Sequence, residues 1–238
     1  MKILILGGTG EARELAGRLV ALGHDVTSSF AGRTREPRLP EGGVRVGKFG
    51  GIPGLVGYLQ AARIVRLVDA THPYAGLIST NAVAAAQQSG VPLVRLMRPA
   101  WLAPDGAQWQ HVADLAEAAA AMPSGAEALI STGHEGLELF LARDDCRLVV
   151  RLIERPALAM PRHVHLILQR PPYTLEAERG LFRQEAITHL VTKNSGGEAT
   201  AAKLTAARES GAAVIMVERP VHGPAVEVGS VEEAVRVV

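Results

Sequence analysis

The chain has 238 residues, of which 47% are hydrophobic and 4% aromatic, and its formal net charge is +1. This length suffices for one large domain or two small ones, with a core built from Ala, Val and Leu. The near-neutral charge gives no support to a nucleic acid or a membrane surface as the main partner. Cys146 is the only cysteine, and no apolar run approaches the roughly 18 residues of a membrane span. We therefore expect a soluble, cytoplasmic protein without an internal disulfide.

A short apolar strand from Ile3 to Leu6 opens the chain and leads into a glycine-rich run, residues 7–10. The next segment, Glu11 to Leu22, has the apolar spacing of a helix with one buried face. A strand, a glycine turn and a helix in this order are typical of dinucleotide-binding folds. Glycine lets backbone amides approach a pyrophosphate, and the helix N-terminus adds unpaired N–H groups. Arg13 stands where the last glycine of the usual pattern would lie, so a purely structural turn is the alternative.

The second predicted strand, Asp25 to Phe30, indicates which dinucleotide is bound. Folds that bind NAD carry an acid near the end of this strand to hold the ribose hydroxyls. Here the end of the strand reads Thr27-Ser28-Ser29-Phe30, and Arg33 and Arg35 follow. The absence of an acid and the presence of two arginines suit a 2′-phosphate, and this favours NADPH over NADH. The alternative is that both arginines are solvated loop charges.

A third buried strand, Val65 to Asp69, ends in a polar segment that contains Thr71, His72 and Tyr74. Polar residues at the carboxyl end of a parallel strand lie where such sheets bind ligands. These three residues are therefore candidates for an active site. The alternative for His72 is that it caps a turn before the following proline.

A later buried strand, Ile187 to Val191, leads into a second polar segment, residues 192–197, before a predicted helix from Glu198 to Ser210. This segment reads Thr192, Lys193, Asn194, Ser195, Gly196 and Gly197. Hydroxyls, an ammonium and free backbone amides together favour anion binding. The alternative is an ordinary loop with a surface lysine.

The two halves of the chain resemble each other. Ser-Gly followed by an apolar strand and Arg-Pro occurs at residues 89–99 and again at residues 210–220. The repeat predicts an α/β fold of two Rossmann-like domains with parallel sheets, facing each other across a cleft. We place the domains at residues 1–110 and 111–238. Each half ends in a trailing segment, near Val112 and Val228, and either segment can pair with its own sheet or with the other one. An accidental repeat is the alternative.

Four motifs together resemble the precorrin-6A reductase family of cobalamin biosynthesis. They are Gly7-Gly8-Thr9-Gly10-Glu11-Ala12, Asp69-Ala70-Thr71-His72-Pro73-Tyr74-Ala75, Val191-Thr192-Lys193-Asn194-Ser195-Gly196-Gly197 and Arg219-Pro220. The resemblance spans nearly the whole chain, and the second and third motifs are not general features of Rossmann folds. It implies an NADPH-dependent oxidoreductase that reduces one double bond of the precorrin-6A macrocycle to give precorrin-6B.

The resemblance and the chemistry of the strand ends together assign three sets of residues. The cofactor-binding set is Gly8, Thr9, Gly10, Glu11, Ala12, Ser29, Arg33, Thr71, Thr192 and Lys193. The substrate-binding set is Asp69, His72, Pro73, Tyr74, Arg151, Arg170, Asn194, Ser195, Gly196 and Gly197. Arginines are included because the resemblance implies a polycarboxylate tetrapyrrole as the substrate. The candidates for proton delivery are His72, Tyr74 and Lys193, with solvent as a further alternative.

No Cys/His cluster indicates a metal site, and a monomer is the simplest expectation for the oligomeric state. Two other functions stay open. The first is a different NADPH-linked reductase or epimerase, which would usually carry Tyr-x-x-x-Lys; Ile78 occupies the lysine position after Tyr74. The second is a nonenzymatic nucleotide-sensing module, which would need the first glycine turn but not both polar segments.

Overall fold

The computed structural model describes residues 1–32 and 39–238. In these ranges twelve strands alternate with eight α-helices, the α/β class expected from the sequence. The strands are β1 (Lys2–Leu6), β2 (Asp25–Phe30), β3 (Gly43–Val46), β4 (Arg66–Asp69), β5 (Leu93–Leu96), β6 (Trp109–Val112), β7 (Glu127–Ser131), β8 (Arg147–Leu152), β9 (Val164–Leu168), β10 (His189–Lys193), β11 (Ala213–Val217) and β12 (Val226–Val228). The helices are α1 (Gly10–Ala21), α2 (Gly51–Ala61), α3 (Gly76–Ser89), α4 (Leu115–Ala121), α5 (Leu137–Leu141), α6 (Leu175–Gln184), α7 (Ala202–Ser210) and α8 (Val231–Val237). Among the described helices, none has the length and apolarity needed to span a bilayer.

The strands form two six-stranded sheets, in the orders β12-β5-β4-β1-β2-β3 and β6-β11-β10-β7-β8-β9. Every ladder in both sheets is parallel. The two orders are equivalent when each strand of the first half is matched with its counterpart in the second half. The prediction of two Rossmann-like units with parallel sheets is therefore confirmed.

The outermost strand of each sheet comes from the other half of the sequence. Strand β6 pairs with β11 in the second sheet, and β12 pairs with β5 in the first. The chain accordingly divides into unit 1, formed by Met1–Pro99 and Pro220–Val238, and unit 2, formed by Ala100–Arg219. The divisions fall at 99/100 and 219/220 rather than at 110/111, because a strand belongs to the sheet whose hydrogen bonds it completes.

Unit 1 buries apolar side chains on both faces of its sheet, as a parallel sheet covered by helices requires. One face packs Ile3, Ile5 and the apolar side of α1 against Val231 of α8. The other face packs Leu4 and Leu6 against α2 and α3. The C-terminal segment therefore supplies part of the core of unit 1 as well as its edge strand.

A buried arginine joins this C-terminal segment to the middle of the sheet. Arg95 on β5 is 1% exposed and Asp69 at the end of β4 is 2% exposed. The Arg95 Nε donates to Asp69 Oδ2 at 3.4 Å, and its Nη1 donates to the carbonyl of Gly223 and to Glu227 Oε1, both at 2.9 Å. One guanidinium thus holds the end of β4, strand β5 and the exchanged segment together.

Two elements of the second half differ from the sequence prediction. Strand β10 continues through Thr192 and Lys193, because both residues pair with β11. The predicted helix from Glu198 to Ser210 is a single 3₁₀ turn at Glu198–Thr200 followed by α7. Helix α5 begins only at Leu137, so the turn after β7 is longer than the glycine turn after β1.

Replacing Arg95 should destabilise unit 1 strongly. Arg95→Ala leaves the buried Asp69 carboxylate without its cation and removes the tie to the C-terminal segment. Breaking a buried ion pair from one side costs about 3–5 kcal/mol. Urea unfolding should show a loss of this size in the free energy of unfolding.

Arg147→Ala provides the matched control. Arg147 also bridges two carboxylates, of Glu127 at 2.9 Å and Glu185 at 2.6 Å, but its side chain is 45% exposed. An exposed network of this kind contributes about 1 kcal/mol or less. Equal losses in the two variants would contradict the role given to Arg95.

Candidate active site

The turn between β1 and α1 is open. The Gly7 amide donates to the Ser29 carbonyl at 3.0 Å, which continues the pairing of β1 with β2. Gly8 has a φ of +124°, a conformation that L side chains rarely adopt, and a Cβ built on it would meet no atom of the described residues within 4 Å. A Cβ built on Gly10 would likewise meet no atom of the described residues within 4 Å. The backbone amides of the turn are therefore not covered by packed side chains.

Thr9 fixes the start of the helix that follows. Its Oγ1 accepts from the Ala12 amide at 3.0 Å and donates to the Ala70 carbonyl at 2.9 Å. The first bond is a standard N-cap, and the second ties the turn to the end of β4. Because the cap already occupies the Ala12 amide, that amide is not available to a ligand, and the predicted role of Ala12 in cofactor binding stays a prediction.

An ion pair lies in the first turn of α1. Arg98 Nη1 donates to both carboxylate oxygens of Glu11, at 2.9 and 3.0 Å. Burial alone would raise the pKa of Glu11, but the backbone hydrogen bond of Glu11 and the Arg98 guanidinium outweigh it and lower that pKa. Glu11 is therefore a carboxylate at neutral pH. Together with Thr9, Thr71 and Pro73, this pair lines a small depression beside the glycine turn.

The end of β4 presents a hydroxyl held by a buried carboxylate. Asp69 Oδ1 accepts from the Thr71 amide at 3.3 Å and from Thr71 Oγ1 at 2.7 Å. Its other oxygen accepts from Arg95. Since Asp69 is almost fully buried, its geometry suits orienting Thr71 better than touching a ligand.

The remaining residues of this segment lie just beyond. The Tyr74 amide donates to His72 Nδ1 at 3.3 Å, and the two rings are 5.8 Å apart. That bond favours the histidine tautomer with its proton on Nε2. The Pro73 carbonyl lies 2.9 Å from His222 Nε2, so the C-terminal segment of unit 1 also holds this loop.

Ser29 occupies the end of β2, and a residue that the sequence did not single out lies beside it. Arg45 on β3 is the direct cross-strand neighbour of Ser29, and its Nη1 donates to Ser29 Oγ at 3.3 Å. The contact depends on the register of two parallel strands, which no local motif encodes. The predicted cofactor-binding residue Arg33, and Arg35, lie outside the described residues.

In unit 2 the polar segment after β10 is mostly buried. Thr192 is fully buried, and Lys193, 9% exposed, donates through its ammonium to Glu135 Oε2 at 3.3 Å. The side-chain amide of Asn194 exchanges two hydrogen bonds with the backbone of Trp101, at 2.8 and 3.1 Å. The Trp101 indole also donates to the Gly197 carbonyl at 3.2 Å. Asn194 and Trp101 thus fix the loop that contains Ser195, Gly196 and Gly197.

The predicted substrate arginines are already engaged. Arg151 is 4% exposed and forms a bidentate pair with the buried Glu178, with its guanidinium 4.0 Å from the Tyr173 ring. Arg170 donates to Glu154 at 3.1 Å and is about half exposed. A substrate carboxylate would have to compete with these acids. Arg151 is therefore best explained as part of the core of unit 2.

In unit 2, the turn after β7, at Thr132 and Gly133, is the counterpart of the first glycine turn, but its hydrogen bonding differs. Gly133 is again open, with a φ of +87°. Thr132 Oγ1 is buried, however, and finds no hydrogen-bond partner among the described residues, whereas Thr9 caps α1. The short α5 lies further along the chain, so this turn does not reproduce the amide arrangement of the first one.

A second buried lysine lies beneath the same sheet edge. Lys203 on α7 is 3% exposed; its Nζ donates to Ser131 Oγ at 3.1 Å and is 5.3 Å from the Trp101 ring. Burial lowers the pKa of Lys203 to about 7; the Arg151 guanidinium acts in the same direction and Glu178 opposes it. Sequence reasoning missed Lys203 because a helical lysine is usually a surface residue.

Comparison with known proteins identifies the family to which the chain belongs. The family model described as precorrin-6x reductase CbiJ/CobK matches residues 2–238. The chain belongs to this family. It is 46% identical to a precorrin-6A reductase of Rhodococcus erythropolis, over 95% of this chain and 92% of that protein. A cobalt-precorrin-6A reductase of Priestia megaterium is 31% identical, over 92% of this chain and 90% of that protein.

One solved structure agrees with this assignment. A structure described as CobK precorrin-6A reductase matches with a TM-score of 0.93 and 38% identity, covering 99% of this chain and 94% of that one. The resemblance noted in the four sequence motifs is therefore confirmed.

The lowered pKa of Lys203 predicts a pH-dependent contribution to stability. With a folded pKa near 7 against 10.5 for the free side chain, the unfolded chain binds one more proton between these values. Stability due to this group therefore rises with pH, by about 1.4 kcal/mol per pH unit in this window. The free energy of unfolding of wild type minus that of Lys203→Met should increase from pH 7 to pH 9, as measured by urea titration.

Lys2→Met serves as the control, since Lys2 is exposed and pairs loosely with Asp25 at 3.9 Å. The difference in the free energy of unfolding between wild type and Lys2→Met should not change from pH 7 to pH 9. A flat difference for Lys203→Met would show that the Lys203 ammonium stays protonated in the folded protein.

Proposed function

We propose that this chain is an NADPH-dependent precorrin-6A reductase of cobalamin biosynthesis. It transfers one hydride to a double bond of the macrocycle, and one proton completes the reduction to precorrin-6B. The observation that carries the proposal is the open glycine turn at Gly8 and Gly10, in a chain that belongs to the precorrin-6x reductase family over residues 2–238. Reduction of a double bond by hydride transfer needs a hydride carrier, and this turn suits a dinucleotide.

Residues of unit 1 fit the cofactor. Backbone amides of Gly8 and Gly10 suit the pyrophosphate, because neither position has a side chain to block its approach. The hydroxyl of Thr71, oriented by Asp69, suits a hydrogen bond to the ribose or the nicotinamide amide. When bound, NADPH supplies the hydride from its C4. The chain's part is to hold the cofactor in one orientation and to exclude water.

Residues of unit 2 fit an acidic ligand. The Lys193 ammonium and the loop from Ser195 to Gly197 combine a cation with backbone N–H groups, which suits carboxylate arms of the macrocycle. Asn194 positions this loop through Trp101. Arg151 is not part of this set, because Glu178 neutralises it.

His72, Tyr74 and Lys193 are the proposed sources of the proton. His72 would deliver a proton from Nε2 as an imidazolium, which requires Nδ1 to give up the hydrogen bond from the Tyr74 amide. Lys193 is an ammonium beside Glu135 and can donate as well. A proton donor placed at the reacting carbon accelerates such a step by about 10²–10⁴-fold.

The substrate we propose is the metal-free macrocycle. The chain is 41% identical to precorrin-6A reductases of Rhodobacter capsulatus and Mycobacterium tuberculosis, and 27% identical to a cobalt-precorrin-6A reductase of Salmonella typhimurium. Greater similarity to the first group supports its substrate. We also propose that the protein acts in the cytoplasm.

Gly8→Ala tests the cofactor turn. The added methyl lies in the open turn and the positive φ strains an L residue, so the NADPH dissociation constant should rise about tenfold or more. Gly23→Ala is the matched control: Gly23 has a φ of +80°, is equally open and lies at the other end of α1. Both variants should lose similar stability, about 1–2 kcal/mol. Equal effects on NADPH binding would contradict a cofactor site at Gly8.

Lys193→Ala and His72→Ala test the proton donors. NADPH oxidation is followed with and without precorrin-6A. The variant that lacks the proton donor should turn over at least about 10²-fold more slowly than wild type. Lys2→Ala should retain normal turnover. If both variants match wild type, neither residue delivers the proton and the proposed assignment of these two segments is wrong.

A further inference from the structure

Arg45 combines positive charge, fixed orientation and unused hydrogen-bonding capacity at the edge of the unit 1 sheet. It lies on β3, and Ser29 on β2 is its direct cross-strand partner. Ser29 in turn pairs with Leu6, the last residue of β1. Arg45 therefore lies at the same carboxyl edge as the glycine turn, two strands away from it.

The guanidinium of Arg45 is held in place by aromatic rings. Its Cζ lies 3.8 Å from the centroid of the Phe49 ring and 5.4 Å from that of Tyr58. The two rings pack edge to face, with centroids 5.3 Å apart. Stacking on aromatic faces restricts the guanidinium plane, so little entropy is lost when a ligand binds it.

The hydrogen bonds of Arg45 leave part of the group available. Nη1 donates to Ser29 Oγ and to the Gly47 carbonyl, and Nη2 donates to the Lys48 carbonyl at 2.9 Å. These three acceptors are neutral, and no carboxylate of the described residues pairs with Arg45. Of the five N–H donors of a guanidinium, one on Nε and one on Nη2 take no acceptor within the described ranges. Two such donors are what a bidentate phosphate contact uses.

The residue beside Arg45 decides which ribose substituent fits. In NAD-binding folds an acid near the end of the second strand accepts from the ribose hydroxyls. Here Ser29 stands at that end of β2, and an acid at this position would neutralise Arg45. Without it, the guanidinium keeps a net positive charge at the place where the adenosine ribose lies in such folds.

We infer that Arg45, presented by β3 and oriented by Phe49, binds the 2′-phosphate of NADPH and determines the preference for NADPH over NADH. This inference rests on the proposed function. It assigns the phosphate contact to a residue on a regular strand, in addition to any contribution from Arg33 and Arg35.

The test compares the affinities of the two reduced dinucleotides in the absence of the macrocycle. NADPH and NADH are titrated into wild type and Arg45→Met, with nucleotide fluorescence as the readout. Losing charge-assisted hydrogen bonds to a phosphate should weaken NADPH binding about 10–100-fold. NADH binding should change less than about twofold, because NADH has no phosphate at this position. Arg45→Lys keeps the charge without the fork and should recover part of the NADPH affinity.

Lys2→Met, which removes a cation from the opposite edge of the same sheet, should leave both affinities unchanged. An equal loss for NADPH and NADH in Arg45→Met would show a structural role only and would overturn the inference. Unchanged NADPH binding in Arg45→Met would also overturn it, while the proposed function would stand. If wild type binds neither dinucleotide, the proposed function fails together with the inference.

Discussion

The geometry of unit 1 depends on the buried ion pair between Asp69 and Arg95. Asp69 ends β4, one of the two strands that flank β1, and its carboxylate orients Thr71 at the sheet edge. Arg95 balances that charge and reaches across to Glu227 and Gly223 of the C-terminal segment. A buried carboxylate is tolerated only when it is paired and hydrogen-bonded. The position of the candidate site is therefore linked to the strand that unit 1 receives from the far end of the chain.

The two units share a strand order but not their chemistry. Unit 1 has an open glycine turn followed at once by a capped helix of 12 residues, an arrangement suited to a pyrophosphate. Unit 2 has a longer turn and a helix of 5 residues in the same place. It carries instead two buried lysines, Lys193 and Lys203, near the end of its central strands. Our proposal is that one copy of the repeated fold binds a nucleotide and the other an acidic ligand.

Local patterns predicted the regular elements well. The apolar run and the helical apolar spacing located β1 and α1 within one residue, because a buried parallel strand and a helix with one buried face both leave local signals. The destination of β6 and β12 could not be predicted, since the outer edges of two equivalent sheets offer them the same hydrogen bonds. Lys193 was predicted to be a site residue from its motif, and that role stays a prediction. Arg45 and Lys203 were missed because one depends on strand register and the other on burial, and neither property is written in adjacent residues.

The residues that matter most for the proposed chemistry act through their surroundings. Asp69 positions Thr71, Asn194 positions the loop after β10, and Glu178 holds Arg151 away from solvent.

The most direct test of the proposed hydride transfer is to measure the transfer of deuterium from NADPH labelled at C4 to precorrin-6A in a single turnover, by mass spectrometry. The proposed mechanism predicts that the product gains one deuterium from one of the two C4 positions. A product that forms without the label from either position would contradict hydride transfer by this protein.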